Sequence, residues 1–338
     1  MVVSLNTGSA GAKLGSVTLN YQTDGTGSNG NSGLVAAAAG AQTVQVSGNV
    51  YTLAVAQVTP AVVNFGIVHV GDIVAQQSVA VSNTAALTAL NDRLTGAIGG
   101  ASGPFSTSGN LGTGVAAQQT DNISLKVGLA TTTAGIFNGG ANVALTSHNA
   151  DMADADLGST SVNLLAQVNN YANLRFSSGS SGLSDNGGSL FTLDFGTVTQ
   201  GSSLLSATLR ALNAITGPSD LADGDYCPTG QVCDTDSFML AGLTDFMNLG
   251  AGQSTGDLSI SFDPTSLGLF QDDIVLGWFG HNASGYRGAD AFLRLQIRAL
   301  VVDATSNVPE PGNLLLVFTG LMLLGASARR RARAKIVH

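Results

Sequence analysis

Glutamate occurs once in the 338 residues of this chain, as Glu310, and lysine only three times. Both are strong helix formers, while the 44 glycines are poor ones, so a helical bundle or coiled coil is excluded. Charge is scarce at 10% of residues, yet hydrophobic residues reach 44%, enough to fill a core, which excludes a disordered chain. What remains is an all-β protein with many glycine-rich turns. At roughly 100 to 200 residues per domain, the length implies two or three domains.

Positive charge is nearly missing outside the C-terminus. Arg329, Arg330, Arg331, Arg333 and Lys335 are five of the 13 basic residues; the rest of the chain sets 8 basic against 22 acidic residues, a net of −14. An acidic body repels phosphate, which argues against nucleic acid as a partner. Just before the basic tail, residues 314–328 carry no charge. As a helix they span about 22 Å, and snorkelling arginines extend that reach toward a bilayer core of about 30 Å. The pattern predicts a short transmembrane helix with Arg329, Arg330, Arg331 and Arg333 as its cytoplasmic stop.

Val308, Pro309, Glu310 and Pro311 precede that apolar run. Motif, apolar stretch and arginine cluster, in this order at the chain end, resemble the PEP-CTERM sorting signal of Gram-negative bacteria. The resemblance implies an exported protein, held in the inner membrane by its C-terminal helix and processed by an exosortase. It then implies release to the cell surface or an exopolysaccharide matrix. The first 30 residues show no basic start followed by an apolar run, so the true start of the gene is expected upstream of Met1.

The chain repeats itself. Residues 65–71, FGIVHVG, return at 195–201 as FGTVTQG, with Asn83 matching Asn213 at the same offset of 130. Phe137, His148-Asn149-Ala150 and Val168 match Phe270, His281-Asn282-Ala283 and Val301 at an offset of 133. Segments such as Leu293-Arg294-Leu295-Gln296-Ile297-Arg298 alternate with period two, as half-buried strands do. Ile123, Leu125 and Val127 form another such apolar set. Turns are expected at 99–104, 138–140 and 179–188. Units of this size fit immunoglobulin-like β-sandwiches. Residues 51–58, YTLAVAQV, match the end of each unit, so residues 1–58 read as the second half of a truncated domain. The FG motif at Phe65 with Gly71, then Ser82-Asn83 and Pro104-Phe105, resembles choice-of-anchor D proteins, whose modules are Hydin-type and immunoglobulin-like. The expected organisation is therefore a half-domain over 1–58 and two sandwiches over 59–168 and 169–303. The sorting region is expected over 304–338, with its motif at 308–312, helix at 314–328 and basic tail at 329–335.

No constellation for catalysis emerges, and no cofactor is implied. No histidine stands at metal-ligand spacing, and Asp272-Asp273 reads as a solvated pair in a loop. His148 and His281 fit hairpin tips. The distinctive segment is 220–236, DLADGDYCPTGQVCDTD, an insertion relative to the first unit. Cys227 and Cys233, with five residues between them, suit a disulfide in an oxidising compartment, with the nearby aspartates facing water. The competing reading gathers Asp220, Asp223, Asp225, Asp234 and Asp236 around a calcium ion, although their spacing is not that of an EF-hand. The expected role is structural or adhesive and non-enzymatic. The alternative is a carbohydrate-binding module for exopolysaccharide, which Trp278, Phe279 and Tyr286 on one exposed face would favour.

Overall fold

A computed structural model describes residues 2–23 and 35–304. The sorting motif, the 314–328 helix and the arginine stop lie outside the described residues. Among those described there is no helix, and so none long and apolar enough to cross a membrane. Strands β1 (Gly11–Thr23) and β2 (Ala37–Val50) form a two-stranded antiparallel ribbon. A first sandwich follows: β3 (Ala56–Thr59), β4 (Val62–His69), β5 (Gln77–Asn83), β6 (Arg93–Gly99), β7 (Phe105–Ser108), β8 (Gln119–Leu129), β9 (Gly135–His148) and β10 (Ala155–Asn169). The second contains β11 (Leu174–Ser178), β12 (Leu183–Asp185), β13 (Leu190–Thr199), β14 (Leu205–Asn213), β15 (Leu221–Tyr226), β16 (Met239–Ala241), β17 (Phe246–Leu249), β18 (Leu258–Phe262), β19 (Gly268–His281) and β20 (Ala291–Val302). Two compact units result. One holds residues up to 172 plus 215–221 and 280–287; the other holds 173–214, 222–279 and the residues from 288.

In the first unit the sheet β4-β10-β9-β6 faces the sheet β3-β5-β8-β7. Both contribute to one core, through Val63, Val143 and Leu164 on one side and Val79, Val81, Leu125 and Val127 on the other. Phe65 of β4 stacks on Phe105 of β7 at 6.1 Å, spanning the two layers. The second unit repeats the plan, with sheets β11-β14-β18-β16 and β12-β13-β20-β19-β15-β17. Phe176 of β11 meets Phe191 of β13 at 5.5 Å, and Phe262 of β18 meets Phe270 of β19 at 5.0 Å. Strands β12 and β17 widen this second sheet at its edges.

The repeated FG motif has a physical explanation. In both units its strand runs parallel to the last strand, β4 along β10 and β13 along β20, and both registers slip at the Phe-Gly pair. Gly66 (φ 71°) and Gly196 (φ 76°) take left-handed conformations that a side chain resists. The carboxamide of Asn64 and the carboxylate of Asp194 accept the N–H of those two glycines. The repeated asparagines are internal fasteners. Asn83, fully buried, accepts the N–H groups of Val55 and Ala85 and donates to the carbonyls of Asp92 and Val115. Asn213, also fully buried, accepts from the N–H of Asn173 and donates to the carbonyl of Leu249.

Several expectations are corrected. β3 pairs with β5, and Ala54 is buried in the first core, so residues 54–58 belong to the first sandwich and the strand closing the preceding ribbon is β2. The proposed boundary at 58 thus falls inside a strand. Asn138-Gly139-Gly140 is not a turn but lies within β9, where a Cβ on Gly139 would come 2.8 Å from the Phe105 ring. Ile123 points to solvent at 71% exposure, because β8 shifts register between its Leu125 and Asp121 contacts. The Asp121 carboxylate binds the N–H groups of Ile123 and Ser124 there. Asp272 is a buried residue of β19, where it accepts from the N–H of Ser237 (3.0 Å) and of Phe238 (2.9 Å). Asp273 pairs with Arg294 at 2.9 Å.

Candidate functional site

The densest gathering of chemistry-bearing side chains lies in the first unit, around Asp220. Its backbone N–H is held by the carbonyl of Asn170, and the neighbouring Ser219 bridges Asn170 in parallel fashion. This places a fully buried carboxylate beside the end of β10. His69, the last residue of β4 and 5% exposed, puts Nε2 2.8 Å from Asp220 Oδ2. The amides of Asn169 and Asn282 donate to Asp220 Oδ1 at 3.0 and 2.8 Å. On its other side His69 Nδ1 lies 3.6 Å from Asp72, whose carboxylate also accepts the His69 backbone N–H at 2.7 Å. Tyr171 stacks flat on the imidazole at 4.1 Å and Tyr286 leans on it at 4.4 Å. Burial, together with the Asp72 and Asp220 carboxylates, pushes both phenols above the ordinary tyrosine range.

The same frame occurs a second time in that unit. Asp92 is nearly buried, and its N–H is held by the carbonyl of Thr52. Its carboxylate accepts the hydroxyl of Ser147 at 2.8 Å and the amide of Asn149 at 2.7 Å. The repeated His-Asn-Ala motif therefore supplies, through Asn149 and Asn282, a donor to a buried aspartate. Its histidines do something else. His148 Nδ1 lies 2.6 Å from Asp154 at the surface, and the backbone of His281 forms an antiparallel β-bridge with that of Arg287 across the hairpin. Chemically, both aspartate sites satisfy a buried anion and fix chain segments far apart in sequence.

Cys227 and Cys233 are joined by a disulfide with a Cα–Cα distance of 5.7 Å. The aspartates of that segment do not converge. Asp220 faces His69, against the expectation that it would face water. Asp223 accepts the N–H of Asn248, and Asp234 exchanges backbone hydrogen bonds with Asp273. Asp225 is exposed and its carboxyl is raised by partial desolvation and by the Asp245 carboxylate; Asp236 is exposed. Among the described residues no group of three or more His, Cys, Asp or Glu is placed to hold a metal ion. Trp278 and Phe279 are neighbours in β19, so their rings leave opposite faces of the sheet, while Tyr286 is committed to His69. The three rings do not share one exposed face.

Sequence reasoning missed the Asp220 site. The available signal was His69 itself, which breaks the match between the two FG motifs where Thr199 stands in the second.

No protein-family model and no curated protein matches this sequence. Solved structures show partial likeness. A protein of unknown function from Porphyromonas gingivalis W83 is 16% identical, with a TM-score of 0.27 over 72% of this chain and 99% of its own. A PapD-like domain of human CEP192 is 12% identical, with a TM-score of 0.26 over 39% of this chain and 87% of its own. Mouse protocadherin-24 EC1-3 is 13% identical, with a TM-score of 0.34 over 85% of this chain and 79% of its own. Scores this low assign no fold family; the sandwich plan stands on the strand pairing above.

Proposed function

We propose that this chain is an exported, non-enzymatic protein of the cell envelope or extracellular matrix of a Gram-negative bacterium. Its tandem immunoglobulin-like sandwiches act as a structural or adhesive array. The observation that carries this reading is the Cys227–Cys233 disulfide, since such bonds persist in oxidising compartments and not in the cytosol. The C-terminal resemblance to a PEP-CTERM signal supports it and adds an exosortase as processing partner. The aspartate sites fit the same role, because their polar groups are spent on holding chain segments together.

Cell fractionation tests the proposal. The full chain, expressed with an export signal in a host lacking the processing enzyme, is expected in the membrane fraction. Replacing Leu316, Val317 and Leu321 by Asp should release it, since each charge at mid-membrane costs about 2.5–3.5 kcal/mol. Equal membrane association of both forms would overturn the anchoring, and two freely alkylatable thiols in the exported protein would overturn the oxidised state.

A further inference from the structure

The second unit gathers exposed apolar side chains at one end. Leu269 of β19 and Leu300 of β20 are cross-strand partners, 68% and 40% exposed. Both lie on the outer face of their sheet, since Ala299 and Val301 on either side of Leu300 are buried. Gly268 pairs with Val301, which sets exposed Leu267 and Val302 at the same end of that strand pair. The segment after β13 joins them. The N–H of Gln200 donates to the carbonyl of Val302 and that of Gly201 to the carbonyl of Pro264, so exposed Leu204 comes to this end as well. The frame of the sandwich does not demand these residues. At the matching places of the first unit, 133 positions earlier, stand Ala134, Ile136, Gln167 and Asn169. Gln167 pairs with Ile136 just as Leu300 pairs with Leu269, and its amide donates to Asn169.

We infer that this end of the second unit rests on the surface of a lipid bilayer with neutral headgroups. The inference rests on the membrane-anchored reading proposed above. β20 ends at Val302, and eleven residues separate it from the apolar run that starts at Leu314, a reach of at most about 40 Å. The exposed leucines therefore stand where the chain leaves the sandwich toward its anchor, and exposed apolar side chains gathered in one place mark an interaction site. Charge decides the kind of surface. Asp263 and Asp303 border the patch, and Arg298 beside it is paired with Asp194 at 2.8 Å. Anionic lipid gains nothing there, whereas apolar contact with a zwitterionic surface needs no charge.

The test places the full chain in phosphatidylcholine vesicles with brominated acyl chains, which quench a fluorescent label that touches them. The label is attached through Ser266→Cys, in the patch, or through Ser189→Cys just before β13, at the other end of that strand and about 30 Å away. Both serines are exposed, and the native cysteines are bonded to each other, which leaves the new thiol as the reactive one. Vesicle flotation reads anchoring separately. The chain is expected to float, with the label at 266 losing most of its emission and the label at 189 keeping most of it. Leu269→Asp with Leu300→Gln should restore emission at 266 without changing flotation. Both side chains are exposed, so unchanged thermal unfolding should show that this variant stays folded; the contrast between the two labels does not depend on it. Flotation with equal quenching at both positions would overturn the docking and leave the anchor standing. Failure to float would overturn both. Quenching that appears only with added anionic lipid would overturn the apolar contact. Shielding at 266 that rises with protein concentration, without quenching, would assign the patch to a second copy and equally overturn the inference.

Discussion

The two sandwiches share a frame and differ in their fittings. Shared are the buried asparagine, Asn83 or Asn213, the glycine bulge at Gly66 or Gly196, and the parallel closure of the last strand. Not shared are the disulfide loop, the extra edge strands β12 and β17, and the partners that satisfy each buried aspartate. Asp92 is met by Ser147, whose repeat counterpart is Gly280, a residue with no hydroxyl to offer. At Asp220 the missing donor is replaced by His69 and Asn169 from other strands. A buried anion must find donors, but the fold leaves open which residues provide them.

The sharpest way to break that comparison is to remove the anions. Asp220→Ala should destabilise the first unit by about 3–5 kcal/mol, because it leaves three buried donors, on His69 and two amides, without their acceptor at about 1–3 kcal/mol each. Asp92→Ala, which strands a hydroxyl and an amide, should cost about 1–3 kcal/mol. Hydrogen exchange at β4 and β10 amides measures both, and equal losses would mean that the extra donor on His69 adds nothing.

The shared asparagines should behave alike. Asn83→Ala and Asn213→Ala are each expected to cost about 2 kcal/mol through unsatisfied backbone groups. The chain has a single tryptophan, Trp278, in the second unit. Its fluorescence during urea unfolding should shift with Asn213→Ala and stay in place with Asn83→Ala. A shift with both would show that the units do not unfold independently.

Within the second unit, the disulfide should matter more than the buried Asp272 carboxylate. Replacing Cys227 and Cys233 by Ser should lower second-unit stability by about 2 kcal/mol, read by the same fluorescence transition. An unchanged midpoint would make the bond a marker of compartment without a stabilising role.

The smallest effect is expected at Asp272, whose carboxyl is raised above the ordinary value of 3.8 by desolvation, against the bonds from Phe238 and Ser237. A raised carboxyl is held more tightly as the acid in the fold than in the unfolded chain. Its contribution is therefore full below 3.8 and is lost as pH rises through the folded value. Asp272→Asn should flatten that slope in second-unit stability while leaving the first unit's unchanged. A slope that survives the substitution would place its origin elsewhere.

The repeat offsets, the all-β class and the alternation of Leu293, Leu295 and Ile297 into the core were legible in the residues alone, because side-chain period and turn chemistry are local. The same reasoning misplaced Asn138-Gly139-Gly140, because the requirement there is space for Phe105, a residue more than thirty positions away. It likewise took Asp272 for a solvated residue, since two backbone donors from 237 and 238 are invisible in the sequence around 272.

By itself the sequence determined the composition that excludes a helical bundle, the period-two strands, the repeated FG and His-Asn-Ala motifs, and the pairing of two cysteines close enough to join. Tertiary structure alone decided that Asp220 belongs with His69 rather than with its own acidic neighbours. It decided as well that the asparagine of the repeated motif matters there more than the histidine. The reason is physical. A local pattern fixes which face of a strand is apolar, whereas the partner of a buried polar group is set by what the folded chain brings within 3 Å of it.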